Sequence, residues 1–333
     1  MIKADPSDMY GMIAGYPKQF AKGFRLAEAI ELSPDIDNLV VAGMGGSASS
    51  PDITLSLFQE QIKVPYTVHR SYGIPHTVSP KTLFVAISFS GNTEETIDAF
   101  HQAYAQGAQI VVVASGGELS HLAQERRLPL VTLPIDSEDF QPRMAGGYNV
   151  GVLTQLLINA CLIPESSKDL VLTAATALDG MYLVQQGKKV AEMLKGFVPI
   201  IYAPDEHWAV ARVSKIKICE NSKIPCFWHV VPEMNHTEMV GFMQVGQVKY
   251  FVLMLDDPES DPRIRKRFDA LKQLLAEHSV DSAILTMPGT NRAERTLGTL
   301  MLMDWVSYWL ALAMGIDPTP VALVETFKAT MKN

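Results

Sequence analysis

Two parallel sheets, each flanked by helices in the doubly wound α/β manner, are what this sequence predicts, one in each half of the chain. Three observations carry that prediction. Short apolar runs at 39–42, 64–69, 82–88, 109–114 and 130–133 alternate with stretches of helical spacing, the order that builds a parallel sheet wrapped by helices. The same alternation resumes at 198–203 and continues through 225–230, 250–255 and 282–287. Finally, at 333 residues the chain is longer than one core usually holds, so two domains are expected. We place them at 1–160 and 161–333. No internal repeat joins the halves, and their kinship rests on the order of elements.

In chain order, residues 7–32 read as a helix pair, with Met9, Met12, Ile13, Phe20, Phe24, Ala27 and Ile30 at helical spacing. The first strand, 39–42, runs into Gly43-Met44-Gly45-Gly46-Ser47-Ala48-Ser49-Ser50, with a helix from about residue 51. Glycines there let the backbone turn tightly and approach a ligand closely. The run is not Gly-x-Gly-x-x-Gly, and the next strand ends in Val68-His69-Arg70 with no acidic residue for a ribose. A dinucleotide is therefore a poor fit and a sugar phosphate a better one.

The strand at 82–88 breaks into Ser88-Phe89-Ser90-Gly91-Asn92-Thr93, and a helix follows over 93–106 with Glu94 and Glu95 in its first turn. Carboxylates suit that end of the helix dipole. Hydroxyls of Ser88, Ser90 and Thr93, together with backbone N–H groups at the helix start, make a neutral cradle suited to phosphate. The carboxyl edge of such a sheet is where ligands sit. A plainer reading is that these residues only cap a helix. Further on, Ser115-Gly116-Gly117-Glu118 opens another helix, and Arg143 precedes a helix at 147–162. Arg143 reads either as a bidentate clamp for a dianion or as a surface ion pair.

The second half begins with a polar helical stretch, 164–194. After the strand at 198–203, a helix carrying Lys215 and Lys217 ends near Glu220. A polar loop, Pro232-Glu233-Met234-Asn235-His236-Thr237, follows the next strand. The last helix, 291–314, is apolar nearly all round, as expected of a buried helix. On their residues alone, Glu220 reads equally as a surface carboxylate, and His236 as part of a helix cap.

The formal net charge of −8 argues against a nucleic-acid partner. The one dense basic group, Arg263-Ile264-Arg265-Lys266-Arg267, reads as the solvated face of a helix. With 47% hydrophobic and 19% charged residues, large cores are expected and disorder is not. No signal-peptide pattern or membrane-length apolar run is found, so we expect a cytoplasmic protein without a membrane partner. Three cysteines, Cys161, Cys219 and Cys226, cannot all pair within one chain and read as reduced thiols. Neither they nor the histidines have metal-ligand spacing, and we expect no metal and no organic cofactor.

With these motifs in hand, the chain resembles the sugar isomerase (SIS) domain proteins, through Gly43-Met44-Gly45-Gly46-Ser47 and Ser88 to Thr96. Glu220-Asn221-Ser222-Lys223-Ile224-Pro225, the stretch from Pro232 to Gly241, and Gly315-Ile316-Asp317-Pro318-Thr319-Pro320 make it similar to the bifunctional phosphoglucose/phosphomannose isomerase family. The resemblance implies two SIS-type domains of flavodoxin-like fold and a small sugar phosphate as substrate. It also implies aldose–ketose isomerisation without metal or cofactor. Gly46, Ser47, Ser88, Ser90 and Thr93 would bind the phosphate, with Arg143 assisting near the reacting carbons. Glu220 would be the base that moves a proton between C1 and C2 through a cis-enediol. His236 would open the ring, contributed by the neighbouring subunit of a homodimer. Lys328 would match the family's C-terminal lysine, and Thr319 would help mannose 6-phosphate rotate into a reactive pose. Phe89 stands where the family commonly has tyrosine. Two other readings stand beside this one: a sugar-phosphate sensor that does not turn its ligand over, and an isomerase for a different phosphosugar. A sensor would have no use for Glu220 and His236 at their motif positions.

Overall fold

The computed structural model describes residues 4–177 and 179–331, and these form two compact units. The N-terminal unit comprises Gly15–Ala177 and Thr290–Thr296. Among the described residues, 4–14, 179–289 and 297–331 make the C-terminal unit. Both units are built on parallel sheets flanked by helices.

In the N-terminal unit the strands are β1 (Asn38–Ala42), β2 (Tyr66–His69), β3 (Thr82–Ile87), β4 (Gln109–Ala114) and β5 (Leu130–Thr132). They lie in the order β2-β1-β3-β4-β5, with every pairing parallel. This is the flavodoxin-like order, whose reversal of direction falls between β1 and β3. Every residue of β1 and β3 is buried, which explains why they read as unbroken apolar runs rather than alternating ones. One face of the sheet packs Val40, Phe84 and Val112 against Ala99, Phe100, Leu119 and Leu122, each large side chain contributing about 1.5–3 kcal/mol on burial.

The helices of this unit are most of α1 (Met9–Ala27), α2 (Gly45–Phe58), α3 (Glu94–Ala105), α4 (Gly117–Glu125), α5 (Gly146–Asn159) and α6 (Ser167–Thr176). Two differ from the sequence reading, and a proline is involved in both. The pair expected over 7–32 is a single helix that continues through Pro17. Proline removes one helical hydrogen bond at a cost of about 3 kcal/mol, but Ile13, Tyr16, Phe20, Phe24 and Ala27 stay buried on both sides of it. The helix expected from residue 51 begins at Gly45, with Pro51 inside it. The glycine-rich run is therefore not a loop: Gly45, Gly46 and Ser47 are the first turn of α2.

The C-terminal unit contains β6 (Val198–Pro204), β7 (Phe227–Val231), β8 (Tyr250–Asp256) and β9 (Asp281–Thr286) in the order β7-β6-β8-β9, again all parallel. This is the order of the first sheet without its fifth strand. Its helices are α7 (Gly180–Leu194), α8 (Trp208–Lys217), α9 (Pro262–Glu277), most of α10 (Arg292–Ala313) and α11 (Ala322–Met331). The polar stretch 164–194 thus divides into α6 and α7. A further helix, α11, follows α10 and carries Lys328. The basic group at 263–267 lies in the first turns of α9, where Asp261 caps the helix by accepting from the Arg263 N–H at 2.8 Å. Arg263 in turn holds the exposed Asp261 carboxyl down, to a pKa of about 2. Tyr202, Val252 and Met254 pack with Phe268, Leu271 and Leu275 as this unit's core.

At the end of β8, the Asp256 carboxyl is pushed up from its ordinary range, first by burial, against the opposing pull of Arg265 3.4 Å away. A raised carboxyl pKa means that the folded state holds the proton more tightly than the unfolded one. Stability is then full below the unfolded pKa and declines as pH rises through the folded one. Asp256→Asn should raise the thermal midpoint at pH 7, and that gain should vanish below the ordinary carboxylate range in melts followed across pH.

Candidate functional site

At the reversal point of the N-terminal sheet, the chain leaving β1 and the chain leaving β3 each enter a helix, α2 and α3, and the hydroxyls converge there. The Ser88 and Thr93 hydroxyls lie 2.8 Å apart. Ser47, in the first turn of α2, accepts from the Phe89 N–H at 3.4 Å. Ser90 accepts from the Asn92 N–H at 3.3 Å and is exposed. In each of Ser47 and Ser90 the bond uses a lone pair, and the hydroxyl hydrogen stays available to donate.

This arrangement bears on the plainer reading of the motif. Thr93 occupies the N-cap of α3 but makes no side-chain capping bond, and its hydroxyl goes to Ser88 instead. Met44, the N-cap of α2, makes none either. Two helix starts left uncapped by side chains, with hydroxyls beside them, form a donor-rich place for an anion.

Two glycines make the geometry attainable. A Cβ on Gly46 would fall 2.9 Å from the Arg143 Cα, so the bare backbone of α2 lets the segment bearing Arg143 press against its first turn. Gly46 thus serves to bring Arg143 in. Arg143, in the short turn Pro142–Met144, is buried and donates to the Gln141 side chain at 3.3 Å. Gly91 has φ +70°, and a Cβ there would lie 1.8 Å from the Gly116 carbonyl oxygen. The loop after β4 clamps the one after β3. Leu119 N–H donates to the Gly91 carbonyl at 2.9 Å, and Glu118 N–H to the Asn92 side chain at 3.0 Å. In the sequence Ser115-Gly116-Gly117 reads only as a helix start, and the paired glycines are the one signal there of this support.

In the C-terminal unit, Glu220 sits in a π turn, Ile218–Ser222, that continues α8. Such turns recur at functional sites because they push a side chain out of helical register. Since α8 runs back from β6 to β7, Glu220 lies at the edge where the strands of its sheet begin, and not at that sheet's own reversal point. Lys223, with φ +60°, ends the turn, and its ammonium donates to the carbonyls of Glu220 and Pro318, the latter at 2.9 Å. The Lys223 ammonium thus ties the Glu220 turn to the segment carrying Thr319, itself buried, whose N–H donates to Asp317 at 2.9 Å.

His236 is exposed, on the short turn Glu233–His236 after β7. The segment around it is anchored at two points, one in this turn at Asn235 and one in the next, Glu238–Met243, at Glu238. The Tyr202 phenol, its pKa raised by burial and then by Glu238, donates to Glu238 at 2.8 Å. Arg267 donates to Asn235 at 3.3 Å. Val240 and Met243 nearby in sequence are also exposed. Lys328 is exposed on α11 and pairs with Glu325 at 2.9 Å, one turn away on the same helix. Among the described residues no three His, Cys, Asp or Glu side chains come together in a way that could hold a metal ion. None of the described helices is long and apolar enough to cross a membrane.

A flavodoxin-like sheet with serine and threonine hydroxyls gathered at its reversal point defines the SIS class, and residues 35–163 match the SIS domain model. Residues 183–331 match the bacterial phospho-glucose isomerase C-terminal SIS domain. The chain is 32% identical to a bifunctional phosphoglucose/phosphomannose isomerase of Caldicellulosiruptor bescii, over 96% of this chain and 98% of that one. A protein of the same name from Aquifex aeolicus is 28% identical over 98% of each. Among solved structures, a hypothetical protein from Thermus thermophilus shares the fold with a TM-score of 0.73 and 18% identity, over 99% of this chain and 91% of that one. The chain belongs to the bifunctional phosphoglucose/phosphomannose isomerase family, whose members are aldose–ketose isomerases.

Proposed function

We propose that the protein interconverts glucose 6-phosphate, and also mannose 6-phosphate, with fructose 6-phosphate through a cis-enediol and without a metal. The phosphate is held by the hydroxyls of Ser47, Ser88, Ser90 and Thr93, with Gly46 seating Arg143 beside them. His236, supplied by the neighbouring subunit of a cytoplasmic homodimer, helps to open the sugar ring. The Glu220 carboxylate then takes the proton from C2 of the open-chain aldose. Electrons of that C–H bond form the C1–C2 double bond, and the C1 oxygen gains a proton to complete the enediol. Returning the carbon-bound proton to C1, while the C2 hydroxyl gives up its own, yields the ketose. Arg143 and Lys328 supply positive charge for the oxygen that becomes anionic. Thr319 serves the rotation that lets the C2 epimer react.

What carries this reading is the placement of Glu220 on a π turn whose next two residues, Asn221 and Ser222, are fully buried. A protein that merely sensed a sugar phosphate would need only the hydroxyl cradle.

The test is turnover of fructose 6-phosphate in excess chelator, with glucose 6-phosphate and mannose 6-phosphate assayed separately. Formation of both products at unchanged rate is expected. Binding without turnover would replace the isomerase with the sensor.

A further inference from the structure

The residues on either side of Glu220 are held by groups from elsewhere in the C-terminal unit. On its N-terminal side, Lys217 pairs with Asp304 of α10, and both are buried. One turn along α10, Ser307 donates to the Asp304 carbonyl at 2.9 Å. That same Ser307 hydroxyl accepts from the Asn221 side chain at 2.9 Å, and its carbonyl accepts from the Ser222 hydroxyl at 2.7 Å. Asn221, Ser222, Asp304 and Ser307 are all wholly buried. From the far end of the turn, Lys223 holds the Glu220 carbonyl and the Pro318 carbonyl together.

Around Asp304 and Ser307, helix α10 buries Leu300, Met303, Trp305, Val306 and Leu310. Buried polar groups in such a helix cost stability unless satisfied, and a leucine or alanine at 307 would serve packing alone. What the Ser307 hydroxyl achieves is to fix Asn221, the residue immediately after Glu220, while the main-chain carbonyl at 307, which any residue would supply, holds Ser222. We propose that Ser307 and Lys223 are positioning residues for Glu220, setting where its carboxylate stands by holding the π turn at its buried side and at its end. The inference rests on Glu220 being the base.

The test uses the full chain with Ser307→Ala, Lys223→Met and Glu220→Gln, singly and with each of the first two combined with the third. Kinetics on fructose 6-phosphate and thermal midpoints are measured together. Misplacing a catalytic group by about 1 Å costs on the order of a hundredfold. Each positioning variant should therefore lower kcat about ten- to a hundredfold, with KM within about twofold. Ser307→Thr, which keeps the hydroxyl, should recover most of the loss. In the Glu220→Gln background neither change should lower the residual rate further, because the group they position is already gone.

A fall in thermal midpoint with kcat retained would assign Ser307 and Lys223 to stability alone and overturn the proposal. Losses that multiply on top of Glu220→Gln would overturn it too. Should Ser307→Ala fail to fold, Lys223→Met decides, since that side chain is at the surface. Full activity in Glu220→Gln would remove the base assignment and the clamp with it. Loss of activity in Glu220→Gln with normal Lys223→Met and Ser307→Ala would remove the clamp alone.

Discussion

Glu220→Gln should turn over fructose 6-phosphate about a thousandfold more slowly than the wild type, with KM for the sugar phosphate within about twofold. The amide has the size of the carboxylate and keeps a hydrogen-bonding end, so the substitution asks little of the π turn. It removes only the capacity to take a proton from carbon and give it back. On the proposed assignment of the phosphate to the N-terminal unit's hydroxyls, which lie far away in sequence, ground-state affinity should survive. A loss in kcat without a loss in KM is the mark of an interaction made only in the transition state. Exchange of a C1 proton of fructose 6-phosphate with solvent deuterium offers a second readout: it should fall in step with turnover, since both pass through the enediol. Turnover retained within about tenfold would show that another group moves the proton.

The strands were legible because burial on both faces leaves an unbroken apolar run, as in β1, β3 and β4. Helix boundaries were less legible: the pair expected over 7–32 is one helix that runs through Pro17, and the helix expected from residue 51 begins at Gly45 with Pro51 inside it, burial of the flanking residues outweighing the lost hydrogen bond. The cradle residues could be named from the motif, but not the reason for their arrangement. The Gly91 to Gly116 contact joins loops at the ends of two neighbouring strands, a relation fixed by strand order and not by spacing. Similarly, Asp304 and Ser307 are hidden within a helix that reads as core. Their partners, Lys217 and Asn221, lie far earlier in the chain, at separations of 87 and 86 residues. Polar residues in an apolar helix are a signal only when the facing element is known.

The second large effect is expected at Gly91. An L-residue at φ +70° costs about 1–2 kcal/mol from its own backbone. The clash is separate and more severe: a Cβ 1.8 Å from a carbonyl oxygen cannot be accommodated, so either the loop after β3 or the loop after β4 must move. If the first moves, the Gly91 carbonyl leaves the Leu119 N–H, and Ser88, Ser90 and Thr93 leave their places around α3's start. Gly91→Ala should therefore raise KM for fructose 6-phosphate about thirtyfold or more, and weaken competitive inhibition by inorganic phosphate in parallel. Gly107→Ala separates the two causes. Gly107 has φ +73°, with the Pro80 ring 3.8 Å from an added Cβ, so it carries the same backbone penalty in ordinary van der Waals contact. That variant should lose stability of about 1–2 kcal/mol and keep its KM. Equal KM values for Gly91→Ala and the wild type would mean that the sugar's phosphate is held somewhere other than the hydroxyls at the ends of β1 and β3.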